Sequence, residues 1–270
     1  MSVGHYENFP VASILLPARL RQPVSVVYRF ARTADDFADE GNLPPLDRLA
    51  RLEEYRGELR CLERNQPPQT PLFNALDGVV RSYYLPLQPL FDLLDAFSQD
   101  VTKSRYADFA EVMEYCRRSA DPVGRLMLHL YGTACDENLL QSDAICSALQ
   151  LINFWQDIAI DFQKNRIYLP QDEMARFGIT ESQIAAADPG GRWPEMMRFQ
   201  TGRARAMLQS GAPLATRLPG RIGLELRMIV QGGLRVLEKL DTIHGDVFGQ
   251  RPVLNTVDWP LMLFRALRMR

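Results

Sequence analysis

Two stretches of the sequence carry pairs of aspartates with a spacing suited to metal binding. In Ile152 to Pro170 (INFWQDIAIDFQKNRIYLP), Asp157 and Asp161 are one helical turn apart, and Asn153 is one turn upstream. Residues four apart stack on one face of a helix, so these groups form a polar stripe. Two carboxylates among large apolar neighbours repel each other and resist burial unless a cation lies between them. Mg²⁺ prefers such oxygen ligands, usually with few carboxylates, several waters and phosphate oxygens.

A second stretch, VSVVYRFARTADDFADEG, repeats the pattern nearer the amino terminus. Asp35 and Asp39 are again one turn apart, and Asp36 lies beside them. Arg32 and Tyr28 precede Asp35 by about one and two turns. A single DxxxD pair is most often a solvated helix face. Two such pairs among large apolar residues instead predict two helices that face each other across a cavity and hold a metal cluster.

Helical patterns separated by prolines fill the rest of the chain, while hairpin signals are scarce. These patterns predict an all-α fold, and the length favours a single domain over residues 1–270. The predicted helices are Val24 to Glu40, Leu46 to Arg64, Pro71 to Ser82, Leu87 to Phe97, Tyr106 to Arg118, Val123 to Cys135, Ser142 to Asn165, Pro194 to Gly211, Arg221 to Ile243 and Thr256 to Met269. The stretch with Asp157 is the simplest to interpret, as one helix that stops at Pro170.

The composition excludes several classes of protein. A net charge of −2 over 270 residues gives no overall basic field, so no nucleic acid is expected as a partner. The four cysteines lack metal-finger spacing and predict reduced thiols of a cytoplasmic protein. The amino terminus lacks the features of a secretory signal, and no apolar run reaches the roughly 18 residues that span a bilayer.

The two aspartate motifs and their surroundings resemble a known family. HYENFPVASILLPARLRQPVSVVYRFARTADDFADEG, followed by NFWQDIAIDFQKNRIYLP, is similar to the squalene and phytoene synthases, which join two prenyl chains head to head. HYENFP and YRFARTADD resemble in particular the bacterial hydroxysqualene synthases of the hopanoid route. The resemblance implies an isoprenoid-synthase-type helical bundle around a central cavity. It also implies conversion of presqualene diphosphate and water into hydroxysqualene and diphosphate.

The resemblance assigns roles to residues of both motifs. The family's metal-binding aspartates match Asp35, Asp36, Asp39, Asp157 and Asp161. Arg32 matches a diphosphate contact, and Tyr28 matches a cavity residue. Asn153 matches the family's asparagine before the second motif, and Arg166 and Tyr168 match its RIY signature. The implied cofactor is Mg²⁺, and no nicotinamide cofactor is expected.

Other residues are assigned to the cavity and its carbocation. Tyr115 matches a tyrosine that relatives place beside the cation, and Phe30, Phe154 and Trp155 are expected to line the cavity. Each ring face stabilises positive charge by roughly 0.5 to 2 kcal/mol. His5 matches a diphosphate contact of the family opening, with a structural role at the terminus as the alternative.

The chain departs from the family pattern at four places. Gln156 replaces an arginine before the second motif, and Tyr6, Glu7 and Asn8 replace a serine-rich opening. Residues 119–121 read SAD instead of VAG, and Gly233, next to Gly232, replaces a frequent tyrosine. Weaker anion binding suits an enzyme that holds one diphosphate, which favours the step from presqualene diphosphate. Gly233 either leaves room for a water in the substrate cavity or allows close helix packing.

Two other functions and two kinds of partner remain open. The chain could instead couple two prenyl diphosphates into presqualene diphosphate, squalene or phytoene, or be a non-catalytic helical assembly factor, which the intact aspartates disfavour. The final segment mixes Trp259, Leu261, Leu263 and Phe264 with Arg265, Arg268 and Arg270. It predicts core packing with a basic end, with peripheral contact at the inner membrane face as the alternative. Association with neighbouring enzymes of the squalene pathway is a further expectation from the resemblance.

Overall fold

The computed structural model describes residues 16–39 and 43–269, and helices dominate this part of the chain. Its helices are α1 Ala18–Asp39, α2 Pro45–Glu63, α3 Pro71–Tyr83, α4 Gln88–Thr102, α5 Phe109–Ser119, α6 Asp121–Tyr131, α7 Asp136–Gln163, α8 Gln171–Phe177, α9 Glu181–Ala185, α10 Trp193–Gly211, α11 Pro213–Arg217, α12 Gly220–Thr242 and α13 Asp258–Arg268. The all-α prediction is confirmed, whereas the single-domain prediction stays a prediction.

The helix that carries the first motif begins earlier than predicted. α1 starts at Ala18 and runs through Pro23, which the prediction placed outside the helix. Proline lacks an N–H, so the Arg19 carbonyl loses its usual partner four residues on. The hydroxyl of Tyr83 donates to this carbonyl at 3.3 Å. A side chain from α3 thus satisfies the acceptor that Pro23 leaves open.

The helix that carries the second motif ends earlier than predicted. α7 extends from Asp136 to Gln163 and does not continue to Pro170. Asn165 has a positive φ of 59°, which breaks the helical path. The chain then extends, and the Ile167 N–H donates to the Ser104 carbonyl at 2.9 Å. This extended segment brings the RIY residues back towards the end of α4.

The short helices α8, α9 and α11 were not predicted from the sequence. They have only five to seven residues, too few to show a helical hydrophobic period. α6 also ends at Tyr131 instead of Cys135, because Gly132 adopts the left-handed conformation with φ 70°. Length and capping, not composition, account for these differences.

The buried apolar side chains form two clusters with a cavity between them. One cluster, which includes Phe30, Phe73 and Leu90, lies among α1 to α4. The other, which includes Trp155 and Leu237, lies among α5, α7, α10 and α12. Side chains from α6 contribute to both clusters. In the described part of the chain, no helix has the length and apolar character needed to cross a membrane.

Candidate active site

The first motif lies on α1 with arginines on two sides. Arg32, one turn upstream, places its Nη1 3.4 Å from Asp35 Oδ2 and its Nη2 2.6 Å from Asp36 Oδ1. Asp39 instead accepts two hydrogen bonds from Arg166, at 2.5 and 3.3 Å. The prediction that Arg32 lies beside the aspartates is therefore consistent with the structure.

Arg166 connects the first motif to the second. Its backbone N–H donates to the Asp161 carbonyl at 2.8 Å, at the end of α7. Its guanidinium reaches Asp39 on α1 and donates to the Asp100 carbonyl on α4 at 3.2 Å. Lys164 adds a second cation, with its Nζ 3.7 Å from Asp39 Oδ2. The two aspartate motifs therefore share one electrostatic environment.

The pKa values of the carboxyl groups in this environment are shifted in different directions. Burial, followed by the charge of Asp39, raises the pKa of Asp35 to about 6. Burial, followed by the charge of Asp157, raises the pKa of Asp161 to about 7. Burial also acts to raise the pKa of Asp39, but hydrogen bonds and charge from Arg166 outweigh it and lower that pKa. Each motif thus contains one carboxyl whose negative charge is poorly compensated.

These poorly compensated carboxyls fit a site for divalent cations. A cation would relieve the repulsion between Asp35 and Asp39 and between Asp157 and Asp161. Among residues 16–39 and 43–269, no three His, Cys, Asp or Glu side chains form a ready-made metal cluster. An ion held by one such pair would need further oxygens from water or substrate, which is the coordination typical of Mg²⁺.

Asp157 has a counter-ion that sequence reasoning missed. Arg251, between α12 and α13, donates to both of its carboxylate oxygens, with its Nη2 3.0 Å from Oδ2. The neighbouring Gln156 points elsewhere, because its side chain is buried and donates to the Pro252 carbonyl. Gln156 was expected to leave this part of the site one positive charge short. Arg251 brings a guanidinium from 94 residues away, but it already pairs with Asp157, so that interpretation stays a prediction.

Tyr115 belongs to a buried aromatic cluster next to the aspartates. Its hydroxyl donates to Asp100 Oδ2 at 2.8 Å. Tyr168 stacks on Phe154 with ring centres 3.7 Å apart, and both rings contact Tyr115. Tyr106 also stacks on Tyr168, with ring centres 5.4 Å apart. The RIY segment thus places Tyr168 in contact with Tyr115, where it supports the packing of that ring.

Asp100 is a second site residue that sequence reasoning missed. Burial raises its pKa to about 7, although Arg166 and the Tyr115 hydroxyl act in the opposite direction. Its Oδ1 is buried without a hydrogen-bond partner. A buried polar atom of this kind is unusual and is often found at functional sites. Asp100 stands alone near the end of α4, with no paired carboxylate to mark it in the sequence.

A cavity of about 420 Å³ begins at the first motif and extends into the apolar interior. Its lining includes Tyr28, Arg32, Asp35 and Tyr115 together with the apolar Val24, Val27, Ala31, Leu93, Phe97, Val123, Leu126 and Met127. A second, mostly apolar cavity of about 240 Å³ shares Val24, Val123 and Met127 with it. Arg32 and Asp35 of the first motif therefore border a mainly apolar space.

Some predicted site residues lie outside this cavity. Phe30 is fully buried on the opposite face of α1, where its ring packs against Tyr55 and Phe73. Helix geometry explains the correction, because Val27 and Ala31 occupy the cavity-facing positions of α1. Trp155 is also fully buried in the core, so its ring is not exposed to the cavity.

Two further predictions have different outcomes. A Cβ added to Gly233 would lie 2.8 Å from Leu208 Cδ2 and 2.9 Å from Leu149 Cδ2. This supports close helix packing at Gly233 and not space for a substrate or water. Asn153 lies on α7 one turn before Asp157, as predicted, and is partly buried. Its role in the site stays a prediction. His5 lies outside the described residues.

The helical fold and the paired motifs define an isoprenoid-synthase-type protein. The squalene synthase HpnC from Alicyclobacillus acidocaldarius superimposes with a TM-score of 0.82 and 35% identity, covering 89% of this chain and 90% of that one. A dehydrosqualene synthase, at 22% identity and a TM-score of 0.83, shares the fold.

The sequence comparisons are more specific. The squalene/phytoene synthase family model matches residues 3–258, and the chain belongs to this family. The hydroxysqualene synthase of Rhodopseudomonas palustris is 35% identical over 263 residues, covering 97% of this chain and 88% of the relative. The phytoene synthase of Mycobacterium tuberculosis is 31% identical over 217 residues, covering 79% and 70%.

Proposed function

We propose that the protein is a hydroxysqualene synthase that converts presqualene diphosphate and water into hydroxysqualene and diphosphate. The observation that carries the proposal is that Arg166 contacts both aspartate motifs, next to a mainly apolar cavity that Arg32 and Asp35 of the first motif line. Relatives named hydroxysqualene synthase, at 34–35% identity, support the choice of reaction.

The aspartates would bind the diphosphate through Mg²⁺. Asp35 and Asp39 on α1 and Asp157 and Asp161 on α7 supply the carboxylates. When bound, Mg²⁺ acts as a Lewis acid that stabilises the negative charge of the departing diphosphate. Arg32 lies at the same end of the cavity and supplies a further cation for that group. Asp36 pairs with Arg32 and holds its guanidinium in place.

The cavity wall would control the carbocation that remains. Tyr115 lines the cavity, and the face of an aromatic ring stabilises a nearby cation. Asp100 accepts the hydrogen bond of the Tyr115 hydroxyl and fixes the direction of the ring. The apolar lining excludes bulk water, so capture by one water follows the rearrangement of the cyclopropylcarbinyl cation.

Product analysis tests this function. Purified protein with Mg²⁺ and presqualene diphosphate, without NADPH, is expected to give an oxygenated C30 alcohol and diphosphate. A parallel reaction without Mg²⁺, in the presence of a chelator, is expected to give no product. The Asp157→Ala variant serves as the inactive control and separates this enzyme from a non-catalytic assembly factor.

Head-to-head coupling is the second candidate function. It is favoured by the match to phytoene synthases and by the presence of both aspartate motifs. The same assay with farnesyl diphosphate alone distinguishes the two reactions. Formation of presqualene diphosphate or any C30 product from farnesyl diphosphate would replace the proposed function with coupling.

A further inference from the structure

Helix α13 has one buried face and one exposed apolar face. Met262 and Ala266 are buried against the rest of the fold. Asp258 is also buried, where it pairs with Arg235 and Lys239 of α12. The predicted core packing therefore accounts for only one side of this helix.

The opposite side forms a continuous apolar stripe. Its members are between 44% and 63% exposed and are Trp259, Leu263, Phe264 and Leu267. Their spacing of about four residues places them along one face of the helix. In the described part of the chain, five of the eleven exposed large apolar residues lie between Val257 and Leu267. A concentration of this kind marks an interaction surface.

The charges around the stripe indicate what it contacts. No acidic residue occurs from position 259 to the last residue, whereas Arg265 and Arg268 lie on α13. The Arg268 guanidinium lies 4.3 Å from the centre of the Phe264 ring. Arg265 pairs with Glu238, so Arg268 is the principal cation beside the stripe. Apolar and aromatic side chains bordered by arginine are typical of helices that lie in the interface of a membrane with anionic lipids.

The buried side of α13 contacts a helix that lines an apolar cavity. Arg227 of α12 donates to the Ala266 carbonyl at 3.5 Å, near the end of α13. Its neighbour Leu226 lines the second apolar cavity, together with Ile222 and Ile229 of the same helix. The buried side of α13 therefore packs on α12, a helix that lines the second apolar cavity.

We propose that the exposed face of α13 docks on a membrane surface that contains anionic lipid. The membrane would hold Trp259, Leu263, Phe264 and Leu267 at the boundary between headgroups and acyl chains. Arg268 would contact lipid phosphates. The docking itself rests on α13 alone; only its benefit, delivery of a lipid substrate, rests on the proposed function.

Vesicle flotation and tryptophan fluorescence test the docking without substrate or Mg²⁺. Wild-type protein is expected to float with vesicles of phosphatidylglycerol and phosphatidylcholine, and less with phosphatidylcholine alone. Of the three tryptophans, Trp155 and Trp193 are fully buried, whereas Trp259 is 45% exposed. A blue shift of the emission on addition of vesicles therefore reports the transfer of Trp259 into lipid.

The double variant Leu263→Ser, Leu267→Ser is expected to lower vesicle binding by at least about tenfold, because binding scales with buried apolar area. Arg268→Gln is expected to reduce binding to anionic vesicles and to leave the weaker binding to neutral ones unchanged. Leu140→Ser is the matched control, since Leu140 is an exposed leucine on α7. It is expected to bind like the wild type. Circular dichroism and the melting temperature verify that each variant is folded.

Several outcomes would overturn the docking proposal. One is that the protein neither floats with vesicles nor shows a blue shift. Another is that the double variant binds vesicles as well as the wild type does. A concentration-dependent dimer that the double variant abolishes, without vesicle binding, would assign the stripe to a second copy of the chain. A protein that binds vesicles but makes no alcohol would contradict only the proposed function. A protein that makes the alcohol but does not bind vesicles would contradict only the docking.

Discussion

In both aspartate motifs, arginines pair with closely spaced carboxylates, but the arginines come from different parts of the chain. On α1, Arg166 pairs with Asp39, and Arg32 from the same helix contacts Asp35. On α7, Arg251 pairs with Asp157. In both motifs, the arginine that pairs most closely with a carboxylate comes from outside the helix.

The remaining carboxyls reveal the difference between the motifs. The pKa of Asp35 is raised to about 6, and that of Asp161 is raised to about 7. Arg32 forms an ion pair with Asp35 at 3.4 Å. Among the described residues no cation pairs with Asp161, and Arg166 and Lys164 lower its pKa only through their charge. The second motif is therefore the less compensated of the two. It has more to gain from a divalent cation.

The largest effects are expected from removing the poorly compensated carboxylates. Asp161→Asn and Asp35→Asn are each expected to lower the rate of product formation by about 10² to 10³, because each removes charge that would hold Mg²⁺ and diphosphate. At pH 8 without metal, both variants are expected to be as stable as the wild type or more stable, since an unfavourable buried charge is gone. Product assays and thermal melts in EDTA measure the two effects.

Asp77→Asn is the control for these variants, because Asp77 pairs with Arg81 on α3, outside both cavities. It is expected to retain full activity. If Asp161→Asn kept its activity within about threefold, the second motif would not be a metal site, and the comparison between the motifs would fail.

Arg166 is expected to matter for both activity and stability. Arg166→Gln leaves Asp39 partly buried without its paired guanidinium, which typically costs about 1 to 3 kcal/mol. It also removes the link between the motifs, so we expect a loss of activity of about 10². Arg166→Lys is the matched variant, since it keeps the charge but not the two-pronged geometry. In urea unfolding and in product assays, the stability and activity of Arg166→Lys are expected to lie between those of the wild type and Arg166→Gln. Equal values for all three proteins would contradict the linking role.

Arg251 offers a sharper test of how the motifs differ. Arg251 occupies both oxygens of Asp157, so it competes with a cation for that carboxylate. Arg251→Gln is expected to raise the affinity for Mg²⁺ alone, measured by titration calorimetry, while activity falls by about tenfold because a cation near the diphosphate is lost. Arg217→Gln is the control, because Arg217 pairs with Glu137 at the other end of α7. A lower Mg²⁺ affinity in Arg251→Gln would show that Arg251 organises the metal site.

The sequence was sufficient to predict the parts of the site that lie within one helix. Spacing of four residues identified both aspartate pairs, and family resemblance identified Arg166 and Tyr115. The prolines and helical periods predicted the long helices. The aspartate pairs and the long helices are local features, so they leave a periodic signal in the chain, whereas Arg166 and Tyr115 were predicted only from the resemblance.

The missing parts of the site depend on tertiary structure. Asp100 lies at a helix end and Arg251 in a loop, and neither has a neighbour in sequence that reveals its partner. The direction of Phe30 depends on which face of α1 packs against α2 and α3, and both faces of this helix are apolar near that residue. Likewise, only the positions of Leu149 and Leu208 show that Gly233 serves close packing.

The smallest expected effect is the pH dependence of stability without metal. The ordinary pKa of an aspartate in the unfolded chain is about 4. Because the folded pKa values of Asp35 and Asp161 are raised to about 6 and about 7, their favourable contribution is present below pH 4 and is lost as the pH rises through these values. The free energy of unfolding in EDTA is therefore expected to fall between pH 4 and pH 8.

Variants of the two motifs are expected to change the free energy of unfolding in different parts of this pH range. Asp35→Asn is expected to flatten the curve mainly below pH 6, and Asp161→Asn is expected to flatten it up to about pH 7. The Asp161 contribution is on the order of 1 kcal/mol, since solvent screens a partly exposed carboxyl. Asp39 titrates in the opposite sense, because its lowered pKa affects stability only at lower pH. If the two variants gave the same curve, the motifs would be electrostatically equivalent, and the greater need of the second motif for a cation would be refuted.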